Sequence, residues 1–288
     1  VDGNIYNNIS VQSQIMKIGM DFGREALTWA SFENTSGGGF IIGHYDDNRV
    51  FHAERQTKTP LIFVNILSEE VETVHENGEW DIDISYSFEL VSGMDSSVLF
   101  TMGKDTDKLA LISSDSAEIK YKDDFFRGGF ECILEGASMS VVNYVGLEDY
   151  VKGVIPYEMS SYWPYEALRA QAVCARTYGI YNIDSYSQQG FDLTDDTRSQ
   201  VYRGTLDADE VTDAAVDSTV GQLVRYRGEV CEIYYFSADG GATEDGKNVF
   251  STDSPYLAGK TDPFESSANY SFRTWSFEKT GDEIKDIL

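Results

Sequence analysis

The clearest pattern in the chain is an alternation. Over residues 80–91, WDIDISYSFELV, Ile82, Ile84, Tyr86 and Phe88 fall on one side and Asp81, Asp83, Ser85 and Ser87 on the other. A period of two predicts a strand with one buried face. Shorter apolar or alternating runs at 11–22, 26–32, 39–45 and 61–67, split by Gly, Asn and Ser, predict further strands. Residues 109–113 and 117–121 predict a hairpin. Residues 1–125 therefore read as a β-rich region.

The texture changes near 121–129, YKDDFFRGG. Strands predicted at 129–134 and 139–144 lead into helices. Residues 146–153 predict a short helix and 164–183 the strongest one. Pro164 suits a first helical position and Glu166 a first turn, and Ala167, Ala170, Ala172 and Ala175 supply small side chains for close packing. A further helix is predicted over 208–219. Residues 222–226 and 229–236 flank Arg227 and Gly228 as a hairpin. Residues 237–245, SADGGATED, form a glycine-rich loop, and 281–288 is helix-like. The fold class is α+β, with a β-rich region over 1–125 and a mixed α/β domain over 126–288 that carries a helix pair.

Charge narrows the partners. The chain has 288 residues, 49 acids and 22 bases, for a net charge of −27. Residues 1–125 hold 22 acids and 9 bases and the remainder 27 and 13, so the excess is spread over the molecule. Such a surface repels phosphate backbones and anionic lipid, which argues against nucleic acid as a partner. No run of about 18 apolar residues offers a membrane segment. The start at Val1, without Met or a charged leader, reads as a mature or trimmed chain, with any anchor lying upstream. Cys132, Cys174 and Cys231 are odd in number and form no CxxC, and Cys174 and Cys231 read as small apolar residues.

Several catalytic templates are absent, among them GxSxG, the phosphate-binding loop, HExxH and the EF-hand. The histidines, His44, His52 and His75, all precede residue 80 and lack partners at ligand spacing. Carboxylate chemistry is the better expectation for the second domain. Glu158 stands out, with Tyr157, Tyr162, Trp163 and Tyr165 about it in a connection between two helices. A carboxyl packed among aromatic rings loses its water, which favours the protonated acid needed for general-acid catalysis, and aromatic faces also stack on sugar rings. The bland alternative is a solvated loop acid.

The stretch around Glu158 resembles the signature of the stage II sporulation protein D / LytB family. The residues that carry the resemblance are Asn143, Leu147, Glu148, Tyr150, Gly153, Val154, Pro156, Glu158, Met159, Trp163, Pro164, Glu166–Leu168, Ala170–Val173 and Ala175–Tyr178. Arg169 stands for the usual Lys and Cys174 for a small residue. Gln200–Gly204 and 237–244 extend the likeness. The resemblance implies a lytic transglycosylase in which Glu158 is the catalytic acid, acting on peptidoglycan glycan strands outside the cytoplasm. It also implies a rival, a non-catalytic cell-wall protein that enhances an amidase. Such an enzyme needs one essential acid/base where ordinary glycosidases need two carboxylates.

Substrate contacts are expected at Tyr157, Trp163, Gln171, Arg176, Gln200, Tyr202, Ser237, Gly240, Gly241 and Thr243. Gln171 and Arg176 project ~140° apart on a helix and need not face one site. Arg176 could instead anchor the Glu158 segment by an ion pair. Tyr202 fits a cleft or the core, and 237–244 a sugar-contacting loop or a plain turn. Relatives often carry zinc-binding His and Cys just before Gln200. Here Thr194, Arg198 and Ser199 stand in that stretch, so no metal or other cofactor is expected.

Overall fold

The computed structural model describes residues 13–74, 76, 80–102, 106–250, 253–267, 276 and 278–285. His75 and the first residues of the 11–22 run lie outside them. The chain divides into two compact units, Val1–Ile233 and Tyr234–Leu288.

In the first unit a seven-stranded sheet has the order β13-β1-β12-β11-β8-β3-β4. Its strands are β1 (Ile15–Asp21), β3 (Phe40–Tyr45), β4 (Phe51–Thr57), β8 (Lys108–Ser113), β11 (Gly129–Glu135), β12 (Ser138–Gly146) and β13 (Leu193–Thr194). All neighbours are antiparallel except β1 and β13. A six-stranded sheet has the order β10-β9-β2-β5-β6-β7. Its strands are β2 (Trp29–Asn34), β5 (Leu61–Val74), β6 (Trp80–Ser92), β7 (Val98–Thr101), β9 (Ile119–Tyr121) and β10 (Asp124–Phe126). Helices α1 (Leu147–Glu158), α2 (Tyr165–Tyr181) and α3 (Glu210–Asp217) follow, with a hairpin of β14 (Arg225–Tyr226) and β15 (Glu229–Val230). The architecture is α+β, β-rich first and mixed afterwards.

One hydrophobic core serves both sheets and the helices. It runs from Phe32, Val64 and Phe88 through Phe130, Leu111 and Val141 to Tyr150, Val154, Leu168 and Val216. Phe32 and Phe130 meet across the sheets with ring centroids 5.1 Å apart. The boundary expected near residue 125 falls inside this unit, because β11 and β12 are hydrogen-bonded to β8 and β1.

Three local expectations change. Residues 109–113 and 117–121 are not a hairpin: β8 pairs with β3 and β11, whereas β9 pairs with β2 and β10 in the other sheet. The polar turn between them carries the chain from one sheet to the other. The strand expected over 229–236 stops at Val230. The short helix expected over 146–153 continues to Glu158 despite Pro156, whose missing N–H costs only one bond near the helix end.

The alternating strand is real, but its apolar side divides. Phe88 and Leu90 are fully buried, whereas Ile82 is 50% and Ile84 57% exposed. Beyond the reach of β2 and β7, β5 and β6 pair only with each other among the described residues, as a two-stranded arm. Residues 59–103 hold nine acids and no Lys or Arg.

In the second unit, α4 (Gly246–Val249) and α5 (Gly281–Lys285) are short. Tyr234 stacks on Phe250 at 3.9 Å, and Gly246 donates its N–H to the Leu257 carbonyl at 2.8 Å.

Candidate active site on helix α1

Helix α1 follows β12 directly and buries Leu147, Tyr150, Val151, Val154 and Ile155. Tyr150, Val154 and Glu158 recur every four residues and so share one face. That face is buried at Tyr150 and Val154 and emerges into solvent at Glu158, the last helical residue. The turn from Met159 to Pro164 then presents aromatic rings to solvent. Tyr162 is 97% and Trp163 56% exposed, and the Tyr165 hydroxyl donates to the Ala214 carbonyl at 3.0 Å.

Glu158 is thus exposed, and the burial among rings expected from sequence is not in place. The physical reason is that α1 runs one turn further than expected, so Tyr157 and Glu158 belong to the helix and the remaining aromatics to the turn after it. Tyr157 leaves the helix on another side. Its hydroxyl donates to the Asp207 carboxylate, and burial together with that acid pushes the phenol above its usual range. Asp207 is therefore a carboxylate placed beside α1's last turn. No sequence signal separated it from the other 48 acids.

The structure moves three expected substrate contacts into the frame. Arg176 is fully buried on α2. Its Nε and Nη2 bond both oxygens of Glu148, with the shortest contact 2.6 Å, and its Nη groups also reach the carbonyls of Ala172, Val216 and Gln222. Glu148 in turn accepts the Gly221 N–H at 3.1 Å. This cluster ties the start of α1 to α2 and to the segment after α3, so Arg176 anchors the helix that carries Glu158 without pairing with Glu158. Tyr202 is buried, with its hydroxyl on Asn143 Oδ1 at 2.9 Å and its ring 5.1 Å from that of Tyr150. Buried Gln200 accepts the Tyr150 hydroxyl at 3.2 Å. Gly153 lets α1 approach this layer, since a Cβ there would stand 2.5 Å from the Tyr202 ring. Gln171 is half-buried on α2.

Ser237, Gly240, Gly241 and Thr243 lie along one loop segment of the second unit, with the turn itself at Gly240 and Gly241. Gly240 and Gly241 have φ of +71° and +107°, which glycine adopts without strain. Gly241 donates its N–H to Asp239 Oδ1 at 2.7 Å and Thr243 to the Lys260 carbonyl at 2.8 Å. Asp239, Asp262 and Glu265 bring carboxylate oxygens within 4.8 Å of one another there.

The residues at the family's zinc stretch do not suit zinc, which favours thiolate and imidazole. Thr194 Oγ1 donates to Asp196 at 3.0 Å, Thr194 N–H to Ser199 Oγ at 3.1 Å, and Arg198 holds both Asp196 oxygens. The segment is closed by its own hydrogen bonds. His44 and His52 stack on each other across β3 and β4 and bond Glu54 and Asp46.

Comparison with known proteins bears on this site directly. The family described as "Stage II sporulation protein" matches residues 135–226, which span β12, α1, α2, β13, α3 and the first strand of the β14–β15 hairpin. An uncharacterized protein of Brachyspira hyodysenteriae is 45% identical over 123 residues, 42% of this chain and 33% of that protein. The amidase enhancer of Bacillus subtilis is 42% identical over 112 residues, 39% of this chain and 15% of the enhancer. Stage II sporulation protein D of Bacillus subtilis is 34% identical over 146 residues, 45% of this chain and 42% of that protein. The chain spans less than half the length of each of these relatives. Over residues 135–226 the chain is thus similar to the stage II sporulation protein family, and by identity to an amidase enhancer and a stage II sporulation protein D.

Proposed function

We propose that this protein acts in the bacterial cell wall, outside the cytoplasm, and cleaves peptidoglycan glycan strands by lytic transglycosylation. The observation that carries the reading is the position of Glu158: an acid at the solvent-facing end of a helix anchored through Glu148 and Arg176, followed by a turn that exposes the rings of Tyr162 and Trp163. In this reaction Glu158 donates its proton to the glycosidic oxygen after N-acetylmuramic acid. The bond from C1 to that oxygen breaks, and the muramyl C6 hydroxyl adds to C1. The hydroxyl proton returns to Glu158, leaving a 1,6-anhydro end and no consumption of water. Trp163 and Tyr157 are proposed to contact the sugar.

A second reading is favoured by the exposure of Glu158 and by the 42% identical amidase enhancer: a non-catalytic wall-bound partner of an amidase. One assay separates the two. Purified glycan strands are digested and the products weighed by mass spectrometry. The enzymatic reading expects anhydromuramyl ends from the wild type and a loss on the order of 10²–10⁴ in rate for Glu158→Gln, with an unchanged melting temperature. Equal release by both proteins removes Glu158 from the mechanism. No anhydro product from either, together with faster amidase turnover when the protein is added, establishes the enhancer.

A further inference from the structure

A cavity of about 690 Å³ opens in the first unit at the opposite end of α1 from Glu158. Gly146 and Asp149, at the start of the helix, line it, and Glu158 lies nine residues on, ~13 Å along the axis. Its volume is in the range of small-molecule sites, roughly 300–1,000 Å³.

Three aromatic rings of its lining, Tyr45, Phe51 and Tyr144, pack on one another as a platform. Tyr45 lies flat on Tyr144, with centroids 3.8 Å apart and planes 6° from parallel, and Phe51 stands against Tyr45 at 5.2 Å. Tyr144 is held in turn by its hydroxyl, which donates to buried Glu131 at 2.9 Å. The rim carries balanced charge. Arg127 bonds Asp149 at 2.7 Å and lies 3.6 Å from Glu118. Arg49 is locked on Asp192 by two bonds of 2.6 and 2.8 Å and on the Ile15 carbonyl at 2.6 Å.

These features select a ligand class. An anion meets the field of a chain of net charge −27, and its approach to either guanidinium competes with a carboxylate already in place. A cation meets two guanidinium groups. A neutral ring with one flat apolar face and a polar rim matches every wall: its C–H face covers the aromatic platform, and its hydroxyl or amide groups give to Glu118 and Asp149 and accept from Arg127. We propose that this cavity is a binding site for neutral pyranose units of a glycan, separate from the Glu158 site and joined to it by the rigid helix α1. The proposal rests on the glycan reading above and extends it, since it gives the strand a second hold on the protein at the far end of the same helix.

The test uses the full chain, ¹⁵N-labelled, titrated with chitotetraose as neutral probe and an oligoglucuronate as anionic control, while amide shifts are followed. The expected result is saturable shifts at Gly128, Gly146 and Ala117 with chitotetraose alone, equal in Glu158→Gln. Phe51→Ala removes part of the platform and Ala117→Phe fills the cavity, and each should raise the Kd read from those shifts at least about tenfold, ~1.4 kcal/mol. Ala117→Phe keeps every core side chain, so it decides the matter if Phe51→Ala does not fold. Shifts confined to 157–165, equal shifts with the anionic probe, or no saturable shift up to roughly 10 mM overturn the proposal. Release of anhydro products, measured on the same proteins, tests the Glu158 reading independently of the outcome.

Discussion

Asp195 sits half-buried after β13, beside the carboxylates of Asp21 and Asp196. Burial first, and then those two neighbours, push its acid up to about 7. An unfolded Asp releases its proton near 3.9. Between these values the folded state holds a proton that the unfolded state has lost, so stability falls as pH rises through the window. Asp195→Asn should therefore stabilise the fold more at pH 8 than at pH 4, by up to a few kcal/mol of unfolding free energy at about 1.4 kcal/mol per pH unit, read by chemical denaturation at both pH values. Equal gains at both pH values would show that Asp195 is an ordinary carboxylate. Arg176 is the other residue whose role can be separated. Arg176→Met leaves Glu148 without its cation and should cost roughly 3–5 kcal/mol, with much of the loss recovered in the Glu148→Gln, Arg176→Met pair. Full stability with lost glycan binding would return Arg176 to the substrate. The Glu158 motif was legible because so many fixed residues fall within one short stretch. The burial of Gln200 was not, and for Arg176 and Tyr202 the sequence left a buried role and a substrate contact side by side, because helical or strand spacing gives a direction relative to the element and says nothing of what stands opposite.

At the level of elements, local patterning located most strands and the helix pair, and failed where partners are distant. The segments at β8 and β9 are close enough in sequence for a hairpin, yet each finds its neighbours in a different sheet, β8 beside β11 and β9 beside β2. Nothing between residues 109 and 121 encodes that choice. The alternation of β6 was read correctly as a strand, but period two cannot tell a face covered by the core, as at Phe88, from one left open, as at Ile84. Gly153 shows how an element's position can hang on one side chain. Gly153→Ala should improve helix propensity by about 1 kcal/mol and still destabilise the fold, because the new methyl meets the Tyr202 ring at 2.5 Å and the Gly204 carbonyl at 2.7 Å. Chemical denaturation would show a net loss of about 1–3 kcal/mol; a gain would mean that α1 is free to shift away from that layer.

Across the whole molecule, the region that carries the family match leans on strands that precede it. Cutting the chain at residue 125 takes β1 from one edge of the β11–β12 pair and β8 from the other. Residues 126–288 expressed alone should then show no cooperative thermal transition and poor solubility, since two open edges and a bared core face remain. A sharp calorimetric transition from that fragment would show that the region of the family match stands without the β-rich part. The same pairing sets the order in which the nascent chain can be completed. Partners of β1 on β12 lie at least 120 residues later, and those on β13 about 175. At roughly 5–20 residues per second of synthesis, β12 leaves the ribosome on the order of ten seconds after β1. The β5–β6 pair, close in sequence and rich in acid, has formed well within that time. Strand β1, with its buried Met16 and Ile18, is thus among the last to be matched, and the growing chain carries it without its β12 partner until β12 arrives.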